Sequence, residues 1–301
     1  MNRAEKTLVV LGGPTAVGKT GCAINLAGHF KTEIISADSR QLYRECRIGT
    51  AVPTDEELSR APHHFIQNSS LNDPYNASRF EQEVLEKLDG LFREKDLVLM
   101  VGGSGLYIDA VCQGIDDLPS PDPELRASLQ DEWKEKGLQN LQERLRKLDP
   151  LTYQRIDLQN PLRLMKALEV SIQTGIPYSR FLSARPKERP FRILKMALTR
   201  DREELYNRIN RRVDRMLEEG LLEEVRSLLP FRGLTPMKTV GYRELFLHLD
   251  GTIELEEAVD LIKRNTRKFA RKQITWFRKN QAYTWFHPDQ TGDMIRWIEE
   301  A

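Results

Sequence analysis

The segment from Gly13 to Thr20 carries the strongest chemical signal in the sequence, because GPTAVGKT has the spacing GxxxxGK[ST]. Its residues are Gly13, Pro14, Thr15, Ala16, Val17, Gly18, Lys19 and Thr20. Glycines in such a loop let backbone N–H groups turn towards phosphate oxygens, and the following helix N-terminus adds partial positive charge. The lysine supplies a mobile cation, and the Thr20 hydroxyl can hold Mg²⁺. The motif predicts a cradle for a diphosphate and leaves the reaction open.

A carboxylate and a hydroxyl follow two later apolar segments. Asp38 comes just after EIIS (33–36), and Ser104 lies in GGSG, directly after DLVLMV (96–101). If both segments are parallel strands, their C-terminal ends face the same crevice as the phosphate loop. Taken alone, Asp38 fits a helix N-cap at least as well, and GGSG fits a plain turn from strand to helix. No carboxylate ends 96–101, which argues against a typical nucleotide hydrolase.

Short apolar runs alternate with helical patterns around these residues. The predicted strands are 7–11, 33–36, 96–101 and 191–198, with a further short buried strand at Tyr283, Trp285 and Phe286. The predicted helices of this part are 19–30, 77–95 and one long helix at 201–229. Near-continuous apolar strands that alternate with helices indicate an α/β fold with a parallel sheet.

The middle of the chain has a different pattern. A proline-rich segment, DDLPSPDP (116–123), is followed by helical spacing from 124 to about 172 without a convincing strand. The strand pattern resumes only at 191–198. We therefore predict a P-loop parallel-sheet core, 1–117 and 191–301, with an all-helical domain inserted at 118–190.

Composition excludes several classes of protein. The chain has 301 residues, of which 46 are basic and 45 acidic, so a globally basic coat protein for nucleic acid is excluded. The sequence contains no run of 18 apolar residues, so no membrane span is predicted, and the apolar run at 8–11 is too short for a signal peptide. Three cysteines outside any CxxC pair fit a reducing cytoplasm. For His63-His64 a packing or hydrogen-bonding role is favoured over metal binding, because ligand-spaced Cys, Asp or Glu are lacking.

The segment 262–280 is locally basic, with eight basic residues and no acidic ones. On a helix the basic side chains share one face, and the apolar residues Ile262, Phe269, Trp276 and Phe277 lie roughly opposite. We expect the apolar side to pack on the core and the cationic side to contact RNA phosphates. A solvated charged face and a membrane-surface helix remain the alternatives.

Motifs spread in order over nearly the whole chain resemble the tRNA dimethylallyltransferase (tRNA isopentenyltransferase) family, bacterial type. They are GPTAVGKT (13–20), SADSRQLY (36–43), IGTA (48–51), HH (63–64), GGSGLY (102–107), LP (118–119), NPLR (160–163) with ALEV (167–170), VGYRE (240–244) and RKQITWFR (271–278). The chain departs from the family pattern at Ser104, where Thr is usual, and at Val52, where Lys is usual.

The resemblance implies transfer of a dimethylallyl group from dimethylallyl diphosphate, with Mg²⁺, to the exocyclic amine of the adenosine 3′-adjacent to the tRNA anticodon. It implies that Asp38 is the general base or the hydrogen-bond acceptor that orients the amine, that Ser104 contacts the diphosphate and that Arg126 positions substrate. The tRNA contacts that it implies are Asp38, Ser39, Arg40, Gln41, Ser104, Arg126, Asn160, Pro161, Leu162, Arg163, Lys238, Gly241, Tyr242, Arg243, Arg271, Lys272, Gln273 and Arg278. We expect a cytoplasmic monomer.

Three other functions share part of these features. An adenylate isopentenyltransferase would share the phosphate loop and Asp38 but would have little use for the insertion or the basic helix. A P-loop small-molecule kinase would need ATP as donor and usually a lid with arginines, and the missing strand-end carboxylate argues against it. A non-enzymatic RNA-binding module would not need Lys19, Thr20 and Asp38 together.

Overall fold

Six parallel strands form the sheet that organises the fold, with the order β3-β2-β4-β1-β5-β6. They are β1 (Thr7–Gly12), β2 (Ile34–Ser36), β3 (His63–His64), β4 (Leu97–Gly102), β5 (Arg192–Leu198) and β6 (Thr284–Phe286). The computed structural model describes residues 5–73, 75–116, 118–120, 122–183 and 186–301. The predicted α/β class with a parallel sheet is confirmed.

Helices cover both faces of this sheet. In chain order they are α1 (Lys19–Phe30), α2 (Asp55–Arg60), α3 (Ala77–Leu91), α4 (Gly105–Gln113), α5 (Pro123–Leu148), α6 (Pro150–Arg155), α7 (Pro161–Thr174), α8 (Arg202–Glu218), α9 (Leu221–Ser227), α10 (Tyr242–Leu249), α11 (Leu255–Lys279) and α12 (Thr291–Glu299), of which α5 to α7 belong to the separate unit described below. Short 3₁₀ helices lie at Tyr178–Arg180, Leu229–Phe231 and Thr235–Lys238.

The central strand β1 is buried on both sides. Val9 and Leu11 pack with α1, whereas Leu8 and Val10 pack with α3 and α4. Successive side chains of a strand point to opposite faces, so a strand between two helical layers needs apolar residues at every position. This burial fixes where β1 ends, and therefore where the phosphate loop begins.

Contacts divide the chain into two units, residues 1–113 with 189–301, and residues 114–188. The first holds the sheet. The second contains α5, α6 and α7, which share a core of their own around Leu129, Leu145 and Leu168. Helix α5 has a break at Gly137, where φ is 77°.

The prediction of one long helix at 201–229 is wrong. The segment forms α8 and α9, which are separated at Gly220, where φ is 98°. A left-handed residue cannot continue a right-handed helix, and glycine adopts that conformation at little cost. Helical periodicity continues through the break because both helices bury apolar residues in the same cluster, among them Val213, Leu221 and Val225.

Candidate active site

The phosphate loop connects the C-terminal end of β1 to the first turn of α1. Three of its residues have a positive φ: Gly13 at 144°, Ala16 at 63° and Gly18 at 113°. A Cβ at Gly13 would lie 3.1 Å from the carbonyl oxygen of Leu198, so the loop also passes close to β5. The Lys19 ammonium donates to the carbonyl oxygens of Gly13 and Pro14, at 2.9 and 2.8 Å. The lysine is thereby folded over the loop.

Three arginines that the sequence analysis missed surround this loop. Arg200 donates to the carbonyl oxygen of Val17 at 2.7 Å, and Arg208 donates to that of Ala16 at 2.8 Å. Arg212 donates to the Thr15 hydroxyl at 3.4 Å. Two signals in the sequence could have identified them. Arg200 follows a strand end, as Asp38 does, and Arg208 and Arg212 are four residues apart on one helix face.

These cations are held together at an energetic cost. Desolvation lowers the pKa of Lys19 to about 8, although the nearby Asp38 carboxylate acts in the opposite direction. Desolvation also lowers the pKa of Arg212, and the neighbouring charge of Arg208 lowers it further. A cluster of partly desolvated positive charges is relieved by an anion, and a dense one such as diphosphate relieves it most.

Asp38 and Ser104 lie at the ends of the neighbouring strands β2 and β4. The Asp38 carboxylate accepts the backbone N–H of Arg40 at 2.9 Å within a tight turn, and no described helix begins there. The N-cap alternative is therefore wrong. Ser104 accepts the N–H of Ser39 at 2.9 Å, and its hydroxyl also contacts the Ser39 hydroxyl at 3.2 Å. The strand-to-helix turn is thus real, and its serine is bound to the segment that carries Asp38.

The three strand ends line one cavity of about 1820 Å³. The sequence-predicted residues along its wall include Thr15, Ala16, Gly18, Lys19, Thr20, Asp38, Ser39, Arg40, Gln41 and Ser104, together with Arg200, Arg208 and Arg212. The prediction that these strand ends face a common crevice is confirmed. A carboxylate, a hydroxyl and a cationic cradle therefore converge on one space.

Gln273 of α11 is also part of this wall, and it is buried. Its side-chain oxygen accepts the Thr15 N–H at 2.9 Å, and its nitrogen donates to the Gly103 carbonyl at 3.0 Å. The sequence analysis placed Gln273 among the tRNA contacts. In the structure its polar atoms join the phosphate loop to the glycine turn.

A second carboxylate that the sequence analysis did not single out shapes another wall. Glu224 of α9 accepts backbone N–H groups from Arg47 and Ile48 at 2.9 and 2.7 Å, and from Gly49 at 2.9 Å. It also accepts the Tyr242 hydroxyl at 2.9 Å. On the other side of the same loop, the Gln41 side chain donates to the carbonyl oxygens at 50 and 51. The IGTA segment is therefore fixed in place beside the cavity.

The remaining tRNA candidates of this unit have different environments. Lys238, Gly241, Tyr242 and Arg243 line the cavity, but the Tyr242 ring is almost fully buried. Arg271, Lys272 and Arg278 are exposed on α11.

One expectation for α11 is wrong. Phe269 and Trp276 were expected to pack on the core with Ile262 and Phe277, but they are 46% and 43% exposed. The buried face consists of Ala258, Ile262, Ala270, Gln273 and Phe277. A polar glutamine occupies the core position because both its partners are backbone groups, and the two aromatic rings line the cavity instead.

The helical unit holds the other candidates. Arg126 of α5 forms an ion pair of 2.6 Å with Glu169 of α7, whose side chain is fully buried. Asn160 caps α7 by accepting the Arg163 N–H at 3.2 Å, with Pro161 in the first turn. Leu162 is 59% exposed. Arg126 thus has a structural partner, and Leu162 and Arg163 face solvent.

The histidine pair lies in β3 and is hydrogen-bonded. His63 contacts the carbonyl oxygen of Ala61 at 2.7 Å, and His64 contacts Glu33 at 2.6 Å. Within the described ranges no group of three His, Cys, Asp or Glu could hold a metal ion. The same part of the chain contains no helix that is long and apolar enough to cross a membrane.

Comparison with known proteins gives consistent matches along the chain. The family model described as IPP transferase matches residues 41–280. A tRNA dimethylallyltransferase 1 of Bacteroides thetaiotaomicron is 52% identical over 292 residues, which is 97% of this chain and 95% of the relative.

Two solved structures are also similar. One is a tRNA isopentenylpyrophosphate transferase from Bacillus halodurans, with 35% identity, a TM-score of 0.71, and coverage of 98% of this chain and 96% of that one. The other is a eukaryotic dimethylallyltransferase acting on tRNA, with 27% identity and a TM-score of 0.77, which covers 90% of this chain and 69% of that one.

Proposed function

The chain belongs to the IPP transferase family, and we propose that it transfers a dimethylallyl group from dimethylallyl diphosphate to the exocyclic amine of the adenosine 3′-adjacent to the tRNA anticodon. Diphosphate is the leaving group. The observation that carries the proposal is the convergence of a phosphate loop, three arginines and Asp38 on one cavity. Alkyl transfer from a diphosphate uses both halves of this arrangement: the cationic half (the phosphate loop and the arginines) for the leaving group, and the acidic half (Asp38) for the nucleophile.

The cationic half stabilises the leaving group. As the bond between the allylic carbon and the diphosphate oxygen breaks, negative charge grows on the diphosphate. Lys19, Arg208 and Arg212 stabilise that charge together with the loop amides. All three side chains are hydrogen-bonded to the phosphate loop, so they are in place before the substrate binds. In many enzymes preorganised charge of this kind makes the largest single contribution to stabilisation of the transition state. The Ser104 hydroxyl lies on the same wall and can donate to a diphosphate oxygen.

The acidic half serves the nucleophile. When the adenosine amine forms its bond to the allylic carbon, the nitrogen must lose one proton. Asp38 is the carboxylate at the strand end beside the cradle, and we assign it as the acceptor of that proton. One of its oxygens is held by the Arg40 N–H, which fixes the orientation of the carboxylate.

The residues present fit a Mg²⁺ ion that is shared with the substrate. The Thr20 hydroxyl, which directly follows the lysine of the phosphate loop, is a hard oxygen donor on the cavity wall. Mg²⁺ commonly takes one or two protein oxygens, substrate phosphates and water, and it does not need a complete protein cage. When bound, the ion would neutralise charge on the diphosphate.

Two features support tRNA as the acceptor. Helix α11 presents exposed cations beside the cavity, among them Arg271 and Lys272. A target base in an RNA loop can be flipped into a pocket at lower cost than one in a duplex. We propose that this surface and the exposed end of α7 at Leu162 and Arg163 contact the anticodon stem-loop.

We further propose that Arg126 positions substrate and that the enzyme acts as a cytoplasmic monomer. The three cysteines are free and buried, which is consistent with a reducing compartment.

The test compares three candidate acceptors of the dimethylallyl group. Purified protein receives Mg²⁺ and labelled dimethylallyl diphosphate, with unmodified tRNA, AMP or ATP in separate reactions. We expect label in tRNA alone. Label in free nucleotide would indicate an adenylate isopentenyltransferase. Absence of transfer combined with ATP consumption would indicate a kinase.

A further inference from the structure

Trp276 is a large apolar side chain that the fold leaves 43% exposed. It lies on α11 between the buried residues Gln273 and Phe277. It borders two spaces, the main cavity and a smaller, shallow groove of about 440 Å³ that is formed by exposed side chains of α11 alone. Lys272 borders both spaces as well. Trp276 therefore marks the junction between the groove and the reaction cavity.

The groove itself is strongly cationic. Its six lining residues are Lys268, Arg271, Lys272, Thr275, Trp276 and Lys279, and four of them carry positive charge. A row of cations beside an exposed aromatic ring suits an unpaired nucleic-acid strand, because phosphates can meet the cations while a base stacks on the ring. Charge complementarity thus indicates an RNA occupant.

The indole is held in one orientation. Its N–H donates to the Asp109 carboxylate of α4 at 3.1 Å. One face of its five-membered ring packs on Gly105, where a Cβ would come within 2.2 Å of the indole nitrogen and within 2.6 Å of two neighbouring ring atoms. Lys195 of β5, which is buried, contributes a compensating charge beside Asp109. Gly105 covers one face of the ring and Asp109 holds its N–H, so a ligand can stack only on the opposite face, and the fixed orientation limits the loss of side-chain entropy on binding.

We propose that one unpaired base of the tRNA loop stacks on Trp276, so that this residue positions the RNA strand where it passes from the cationic groove into the reaction cavity. The inference rests on the proposed function, since it requires an RNA substrate. The stacked base is a contact with one position of the RNA, whereas the cations of α11 attract phosphates whatever the RNA sequence. Stacking contributes through the ring, and it depends little on salt.

The test is a mutant cycle between the protein and the RNA. Anticodon stem-loops that each lack one loop base are compared with the intact stem-loop, on the wild type, Trp276→Phe and Trp276→Leu. On the wild type, one abasic position is expected to weaken binding about tenfold. On Trp276→Leu the intact loop binds that much more weakly, and removal of the same base has almost no additional effect. Trp276→Phe retains part of the coupling because it keeps a ring.

A purely structural role for Trp276 predicts a different result. In that case Trp276→Leu would weaken intact and abasic loops equally, and this outcome would overturn the inference. A rise in the KM for dimethylallyl diphosphate with unchanged stem-loop affinity would also overturn it, because the ring would then pack on the donor.

Fluorescence provides a second measurement. The chain has four tryptophans, and stacking of a base on Trp276 quenches only that indole. Quenching by the stem-loop is expected in the wild type and lost in Trp276→Phe. If the wild type transfers dimethylallyl groups to tRNA but shows neither coupling nor quenching, this inference fails and the proposed function stands. If it transfers none, the proposed function itself fails.

Discussion

Gln273 and Thr15 are joined by a hydrogen bond of 2.9 Å, although 258 residues separate them in the chain. The Thr15 N–H donates, and the side chain of Gln273 continues to the Gly103 carbonyl. The helix whose exposed side is cationic is therefore attached from its buried side to the phosphate loop, the segment that we propose binds the diphosphate.

Replacement of Gln273 by Leu should destabilise the protein and weaken donor binding together. The change leaves the Thr15 N–H and the Gly103 carbonyl without their partner, and an unsatisfied buried polar group costs about 1–3 kcal/mol. Urea unfolding measures the first effect, and titration with dimethylallyl diphosphate measures the second. Thr275→Ala, at an exposed position of the same helix, is the stability control and should change the free energy of unfolding by less than about 0.5 kcal/mol. Unchanged donor affinity in Gln273→Leu would show that the attachment is only structural.

Asp38→Asn should remove transfer and leave tRNA binding nearly intact. The amide oxygen can still accept the Arg40 N–H, so the turn is kept, but the side chain no longer takes a proton. General-base catalysis contributes about 10²–10⁴-fold, and single-turnover rates should fall by at least the lower figure. If this variant or Asp38→Ala kept more than about a tenth of the activity, a loss below about 1.4 kcal/mol, the assignment of the base would be wrong.

Arg212→Ala should reduce the affinity for inorganic diphosphate by about tenfold or more, because a charged hydrogen-bonding partner of the anion is lost. The adjacent Arg211 gives a matched control. It is exposed, and among the described residues its side chain has one hydrogen bond, to the Asn207 carbonyl of its own helix. Calorimetric titration of both variants separates a local contact from a general effect of net charge. Equal losses in the two variants would contradict the role of Arg212.

The pKa of Lys19 predicts proton uptake on binding. Desolvation lowers this pKa to about 8, so above that pH the native lysine is largely neutral. Below about pH 8 the buried lysine is charged, and its full desolvation cost lowers the free energy of unfolding. Between about pH 8 and the unfolded pKa the native lysine loses its proton first, so the free energy of unfolding rises with pH. A bound diphosphate raises the pKa again. At pH 8.5 the wild type should therefore take up more protons on binding than Lys19→Arg, whose guanidinium stays charged.

Calorimetry in buffers of different ionisation enthalpy measures that uptake. The difference between the two proteins cancels the ionisation of the ligand itself. Equal uptake by both would mean that Lys19 does not titrate in the free enzyme near pH 8.

Charge reversal at Arg271 and Lys272 should weaken tRNA binding and flatten its dependence on salt. Each lost phosphate contact lowers the slope of log K against log salt by about 0.7–0.9. Reversal of Lys31 and Arg93, which are exposed just beyond the C-terminal ends of α1 and α3, changes net charge equally and serves as the control. Filter-binding measurements over a range of salt concentrations give the slopes. A slope that is unchanged in the α11 variant would remove this helix from the RNA surface.

The sequence predicts five of the six strands and the two strand ends because these depend on local patterns, whereas the two-residue strand β3 is too short to give one. TLVVL must be a buried strand, and GPTAVGKT has few other conformations after it. Parallel strand ends then meet for topological reasons, which explains why Asp38 and Ser104 were placed correctly beside the loop.

The remaining features depend on contacts that are distant in the chain. Gln273 is polar, and nothing local indicates that its partners are the backbone of residues 15 and 103. Trp276 has an apolar side chain on an amphipathic helix, and periodicity assigns it to the core, whereas the core position is filled by Phe277. Glu224 resembles any acidic residue of a surface helix until the loop at 47–49 is packed against it.

We propose that the cradle and Asp38 act on the same pair of substrates, a prenyl diphosphate and one adenosine of tRNA. The most direct measurement is the site of attachment. After a single turnover with wild-type enzyme, the tRNA is digested with nuclease and its fragments are sequenced by mass spectrometry. We predict one dimethylallyl group on the exocyclic amine of the adenosine 3′-adjacent to the anticodon, and none with Asp38→Asn. Attachment at another atom or nucleotide, or equal modification by the Asp38 variant, would contradict the account.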